Sequence, residues 1–170
     1  NAQAPIGYNP VPEMTFSLAA GLNWKGIDFS ILLQGAARSS IYLQQDIAWD
    51  NFWGNYYEEH IGRWTPETAA TATYPRFTKA ATAAHPNYYK SDYWLKDSKY
   101  LRLKNIQLGY TIPRKLLKKF GVRSLRVYAN AYNLFTWDNV KKVDPESSNN
   151  SNGQFYPQQK VINFGINLNF

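Results

Sequence analysis

The sequence predicts an all-β fold: about five long antiparallel strands of a transmembrane β-barrel, with long loops at one end and a short helical turn at the other. Three observations predict it. The first is the final stretch, Val161 to Phe170, where Ile162, Phe164, Ile166, Leu168 and Phe170 alternate with Asn163, Gly165, Asn167 and Asn169. Side chains alternate faces along a strand, so one face is wholly apolar and the other small and polar. An outer-membrane strand needs roughly 9–11 residues, whereas a strand of a soluble sandwich usually has about five or six. The second is that connections between such segments alternate short (25–26 and about 111–123) with long (about 36–99 and 135–160). Short periplasmic turns and long outer loops are the asymmetry of an outer-membrane barrel. The third is the lack of any run of 18 apolar residues. That excludes a transmembrane helix but not barrel strands, which hide their apolar half by alternation.

Residues 1–14 hold Pro5, Pro10 and Pro12 and read as loop. A first strand spans about Thr15 to Trp24, with Phe16, Leu18, Ala20, Leu22 and Trp24 on one face. Lys25-Gly26 makes a tight turn, Gly supplying positive φ. A second strand spans about Ile27 to Gly35, with Ile27, Phe29, Ile31 and Leu33 opposing Asp28, Ser30, Leu32 and Gln34. From about Ala36 to Lys99 no long alternation occurs, and a connection of that length is functional or partly disordered. Within it, Asp46 to Tyr57 could form a short helix and Thr65-Pro66-Glu67-Thr68 a helical turn.

The third strand, about Tyr100 to Tyr110, changes phase. Leu101 and Leu103 occupy odd positions, Ile106, Leu108 and Tyr110 even ones. A β-bulge near Lys104-Asn105 would bring both sets to one face; otherwise some of them face inward against other protein. Ile112 to Gly121, with Pro near its start and a closing Gly, describes one or two helical turns. The fourth strand spans about Ser124 to Leu134, with Leu125, Val127, Ala129 and Ala131 opposing Arg126, Tyr128, Asn130 and Tyr132. Asp144 to Gly153 reads as an exposed polar loop. Five strands cannot close a bacterial barrel, which has an even number from about eight upward, and an open sheet with an apolar wall would aggregate. The chain therefore reads as a piece of a larger barrel.

The 170 residues include 13 Tyr, 9 Phe, 6 Trp and no Cys, with a net charge of +7. Without Cys, disulfides and thiolate metal sites drop out. Lys and Arg are scattered except for Arg114, Lys115, Lys118, Lys119 and Arg123, which read as a solvated turn rather than a nucleic-acid patch. Catalysis finds little support. His60 and His85 are the only histidines and lie in no ligand motif. Ser124 and the other serines lack an elbow motif. Asp92 and Asp97 read as surface acids rather than a glycosidase pair.

The residues Tyr100 to Tyr110 resemble a signature of the SusC/RagA family of TonB-dependent outer-membrane transporters. Further likenesses follow in the family's order: Trp24 to Ser30, Arg63 to Glu67, Pro113 to Gly121, Leu125 to Tyr128 with Asn133 to Trp137, Asp144 to Glu146, Tyr156-Pro157, and Phe164 to Phe170. The resemblance implies the C-terminal five strands of a 22-stranded, plugged barrel, covering residues 1–170, with the plug domain outside this chain. It implies import of large nutrients, glycans or oligopeptides, energised through TonB, with no cofactor. The implied partners are the rest of the barrel and its plug, a SusD-like surface lipoprotein, TonB and outer-membrane lipid; nucleic acid is not among them. The implied location is the bacterial outer membrane.

On that reading, Trp49, Trp53, Tyr56, Tyr57 and Trp64 in the longest loop could touch cargo or the lid, since aromatic faces stack on sugars and apolar side chains. The alternative is that they pack the loop. Arg126, Tyr128, Asn130 and Tyr132 would face the barrel lumen. Phe170 would be the terminal aromatic read during barrel insertion, or, with Trp24 and Tyr110, part of an interfacial girdle. Two other functions compete: a soluble sugar-binding β-sandwich, and a structural piece of a non-transport outer-membrane complex.

Overall fold

The computed structural model describes residues 4–52, 54–79, 84–147 and 156–170. Its strands are β1 (Met14–Trp24), β2 (Ile27–Ala37), β3 (Ser40–Tyr42), β4 (Leu95–Asp97), β5 (Tyr100–Thr111), β6 (Ser124–Asp138) and β7 (Val161–Asn169), with one α-helical turn, α1 (Arg114–Leu117). Two compact units result: a sheet unit (Met14–Ala37, Lys99–Asp138, Gln158–Phe170) and a loop unit (Asn1–Glu13, Arg38–Ser98, Asn139–Pro157).

The sheet unit is a five-stranded antiparallel sheet in the order β1-β2-β5-β6-β7. Its register sorts side chains by polarity across every strand. Leu22 pairs with Phe29, Phe29 with Leu108, Leu108 with Ala129 and Ala129 with Phe164, all on one face. The neighbouring row, on the other face, runs Asn23, Asp28, Gly109, Tyr128 and Gly165. The expected bulge is present. Leu32 pairs with Asn105 but Leu33 pairs with Leu103, so Lys104 is the extra residue on β5. It returns Leu101 and Leu103 to the face of Ile106 and Leu108. Across from it, Asn133 takes a left-handed φ of 50°. β6 does not stop at Leu134 as expected but runs on to Asp138, because β5 extends to Tyr100, which pairs with Asp138. Lys25 (φ 48°) and Gly26 (φ 89°) form the tight β1–β2 turn, a two-residue turn whose twist suits a hairpin.

The apolar face is open. Leu18, Leu22, Trp24, Leu108, Ile162, Phe164 and Ile166 are all exposed, Phe164 at 82%. A water-facing sheet would expose its polar face and cover this one. The helical turn between β5 and β6 forms over Arg114–Leu117, continues as a 3-10 turn through Phe120, and ends at Gly121 with φ 68°.

The loop unit departs from expectation in two ways. It contains the short β3–β4 pair, and among the described residues the helix expected over Asp46 to Tyr57 is absent. Only a 3-10 turn, Gln45–Ile47, forms there; Asn51 and Gly54 adopt positive φ, which ends any helix. Thr65 to Thr68 does turn, locked by Thr65 N donating to Thr68 Oγ1 at 2.8 Å and Thr68 N donating to Thr65 Oγ1 at 3.2 Å. Ile41, Leu43, Ala48, Trp49, Tyr74, Tyr88, Trp94 and Val140 make the core of this unit. The polar loop expected over Asp144 to Gly153 is described to residue 147; the remainder lies outside the described residues.

Candidate functional site

The four residues expected to face a lumen lie on the polar face of the sheet. Arg126, Tyr128, Asn130 and Tyr132 alternate along β6 and pair with Asn167, Gly165, Asn163 and Val161 of β7. They form a cross-strand layer rather than a row of isolated polar groups. Asn163 Nδ2 donates to Asn130 Oδ1 at 3.0 Å. Arg126 reaches over β5 to Asp28 on β2: its Nε donates to Oδ1 at 2.9 Å, and its Nη2 also donates to Oδ2. Two parallel N–H···O bonds of this kind fix the guanidinium plane. Gly109 makes the crossing possible, since a Cβ there would lie 2.5 Å from both Arg126 Nη2 and Asp28 Oδ1. The Arg126 guanidinium carbon sits 4.8 Å from the Tyr128 ring centre. That ring in turn lies over Gly165, where a Cβ would come within 2.3 Å of it. Asp28 and Gly109 are partners that the sequence reading did not single out. The signal was an isolated acid on the polar side of an otherwise uncharged strand.

The loop unit holds the five aromatic candidates, and the structure divides them. Trp49 is 2% exposed and packs against Tyr88 at 4.7 Å and edge-on against Phe52 at 5.9 Å. The packing alternative therefore describes Trp49: its ring faces have no access to cargo, and additional protein could only bury it further. Trp53 lies outside the described residues. Tyr56, Tyr57 and Trp64 are exposed. Tyr57 is tethered through its hydroxyl to the Asp46 carbonyl, and Tyr56 leans on Phe77 with ring centres 5.5 Å apart. Trp64 borders a cleft of about 320 Å³ that Arg63, Thr65, Pro66, Arg76 and Phe77 also line.

Beneath these exposed rings is a buried polar knot that sequence reasoning missed. Asp50 is fully buried and accepts from Tyr74 Oη at 3.3 Å, from Thr78 N at 3.1 Å and from Tyr88 Oη. Tyr74 Oη also approaches the Ala48 carbonyl at 2.8 Å. His60 Nδ1 accepts from Tyr57 N at 3.1 Å, which leaves Nε2–H to donate to the Ala48 carbonyl at 3.2 Å. Burial, reinforced by the Asp50 carboxylate, pushes the Tyr74 and Tyr88 phenols well above the usual tyrosine range. Burial also pushes the Lys142 ammonium, which contacts Glu59, down to about 8. Asp50, Tyr74, Tyr88 and His60 thus hold neighbouring turns of the loop unit together. Among the described residues, no three His, Cys, Asp or Glu side chains gather as a metal site requires. Phe170 follows the last residue of β7, beside Ser124, and is exposed.

No family model matches the chain. Relatives do. A TonB-dependent receptor of Formosa agariphila is 29% identical over 179 residues, spanning 95% of this chain and 17% of the relative. The TonB-dependent receptor SusC of Bacteroides thetaiotaomicron is 25% identical over 163 residues, spanning 95% of this chain and 15% of that protein. Among solved structures, the RagAB peptide importer in its open-open state superposes with a TM-score of 0.69 at 24% identity, over 96% of this chain and 18% of that one. The chain thus spans about a sixth of the length of the relatives it matches. The resemblance to SusC/RagA-type TonB-dependent receptors read from Tyr100 to Tyr110 and the flanking motifs holds in sequence and in fold across nearly the whole chain, and its sheet is a match to part of their β-barrel.

Proposed function

We propose that this chain is the C-terminal wall and outer rim of a TonB-dependent outer-membrane importer of large nutrients, glycans or oligopeptides, capped by a SusD-like lipoprotein. The observation that carries the reading is the single apolar face kept across all five strands, even through the bulge at Lys104, and left open. Lipid is the solvent that suits such a face. The two edge strands, β1 and β7, would pair with the rest of the barrel. The layer of Arg126, Tyr128, Asn130 and Tyr132 would face the lumen, where plug, water or cargo meets it. Tyr56, Tyr57 and Trp64 would lie on the outer rim, available to cargo or lid. Phe170 would serve barrel insertion and interfacial anchoring together. RagAB, whose structure this chain resembles, is a peptide importer, which makes oligopeptides the first cargo class to try here.

The test uses the full-length receptor in the cell that makes it. Deleting its gene should abolish growth on a defined glycan or oligopeptide source, and dissipating the proton-motive force should do the same with the receptor intact. Recovery of the receptor from the soluble fraction, without detergent, would overturn the reading and favour the sandwich.

A further inference from the structure

The segment from Arg114 to Arg123 carries Arg114, Lys115, Lys118, Lys119 and Arg123 and no acidic residue. All five cations are exposed. Leu117 is buried and fixes the turn, while Leu116 and Phe120, four residues apart on one side of it, are 65% and 76% exposed. No acidic side chain of the sheet unit is left to pair with these cations. Its acidic side chains are Asp28, which is held by Arg126, and Asp138, which pairs with Tyr100 at the far end of β5.

Neighbouring elements continue the same chemistry. Thr111 N donates to the Gly26 carbonyl at 2.7 Å, so the β1–β2 turn shares this end of the sheet. There Lys25 lies 4.9 Å from the Trp24 ring centre. Arg123 N donates to the Asn169 carbonyl at 2.8 Å, which brings Phe170 alongside. The apolar face begins at once: Tyr110 pairs with Val127, and Ile112 N donates to the carbonyl of Leu125.

We propose that this end of the sheet is a binding surface for anionic phospholipid of the periplasmic leaflet. The phosphates sit among the five cations, and Leu116 and Phe120 enter the acyl boundary. This rests on the outer-membrane reading, in which short connections face the periplasm. Both halves of the surface are needed to choose the partner. An acidic protein or other polyanion would satisfy the cations and leave Leu116 and Phe120 in water. A zwitterionic lipid would cover the apolar pair and leave the cations without counter-charge. Cations ringing an apolar pair at a membrane boundary match an anionic lipid surface.

The test takes the full-length receptor, extracted from its membrane and placed in nanodiscs of phosphatidylcholine containing a minority of phosphatidylglycerol. Lipids retained after mild detergent extraction are counted by native mass spectrometry. The native receptor should retain phosphatidylglycerol selectively and lose it as salt rises. R114Q/K115Q/K118Q/K119Q/R123Q should lower that retention at least about tenfold and remove its salt dependence. L116S/F120S should weaken retention yet keep the salt dependence. Heat-modifiable mobility of both variants verifies that the barrel still forms. Equal retention of the two lipids by the native receptor, or no response to the charge variant, overturns the proposal. A receptor recovered without membrane would remove the barrel reading itself, before any lipid is counted.

Discussion

The two units of this chain put their large apolar side chains to opposite use. In the sheet unit Phe164, Leu18, Leu108 and Ile166 stand in the open, and the polar groups join one another across the opposite face. In the loop unit Trp49, Tyr88, Trp94 and Ile41 are buried, and a fully buried carboxylate, Asp50, ties the turns around them. The loop unit follows the rules of a water-soluble fold: apolar rings lie inside, and the buried Asp50 carboxylate is hydrogen-bonded. The sheet unit follows the rules of a protein whose solvent is lipid on one side. One chain of ordinary composition thus carries two solvation schemes, and the difference lies in the order of residues rather than in their kinds.

The largest expected effect separates the units by pH. The Tyr74 and Tyr88 phenols are raised above the ordinary tyrosine value of 10.0 by burial in the loop unit. A raised folded-state value means that their stabilisation is complete below pH 10 and is lost as pH climbs above it, because the unfolded chain ionises first. Two buried phenols contribute about 3 kcal/mol per pH unit in that window. In the full-length receptor, hydrogen exchange followed by mass spectrometry should show residues 41–94 opening above pH 10 while β5–β7 stay protected. Simultaneous opening of both would mean that the units do not differ in this way.

A charge on the open face is the converse experiment. Phe164→Lys should destabilise the assembled barrel by about 2–4 kcal/mol, read as a lower urea midpoint in lipid vesicles. At an 82% exposed site of a water-facing sheet the same change would be nearly neutral. A shift below about 0.5 kcal/mol would therefore count against lipid as the solvent of this face.

The difference between the units also governs what could be read from sequence. The sheet was legible, bulge included, because period-two alternation is a local signal and a slip of one residue would move every side chain to the wrong face. The extension of β6 through Trp137 was missed because only its partner, Leu101, reveals it. The polar face was legible in composition but not in contacts. Nothing in the spacing of Asp28 and Arg126, 98 positions apart, announces that they meet. The loop unit was barely legible. Its order depends on Asp50, Tyr74, Tyr88 and His60, which come from separate turns and obey no period. Trp49 illustrates the consequence, since an aromatic in a long loop looks available until its burial is seen.

Gly165→Ala sharpens the contrast within the sheet. The added methyl would meet the Tyr128 ring at 2.3 Å, and relieving that overlap should cost about 1–2 kcal/mol of barrel stability. Tyr128→Ala in the same chain should recover part of that loss, because the collision disappears with the ring. Equal losses with and without Tyr128 would show that the glycine is needed for its backbone alone.

The smallest effect concerns the Asp28–Arg126 pair, and it discriminates between two roles for the polar face. The guanidinium and carboxylate meet across β5, over Gly109, and so connect β2 to β6. If the layer is a structural tie, Asp28→Asn and Arg126→Gln should each lower the urea midpoint, and the double substitution should cost less than the sum, since either change alone already breaks the bidentate contact. Cargo uptake should then fall only in proportion to the folded receptor. If Arg126 instead serves cargo in the lumen, Arg126→Gln should depress uptake well beyond any loss of folded protein while Asp28→Asn spares it. Measuring uptake per folded barrel for both single variants separates the two. Because Arg126 already commits Nε and Nη2 to Asp28 and turns its face to Tyr128, parallel behaviour of the two variants is the expected result.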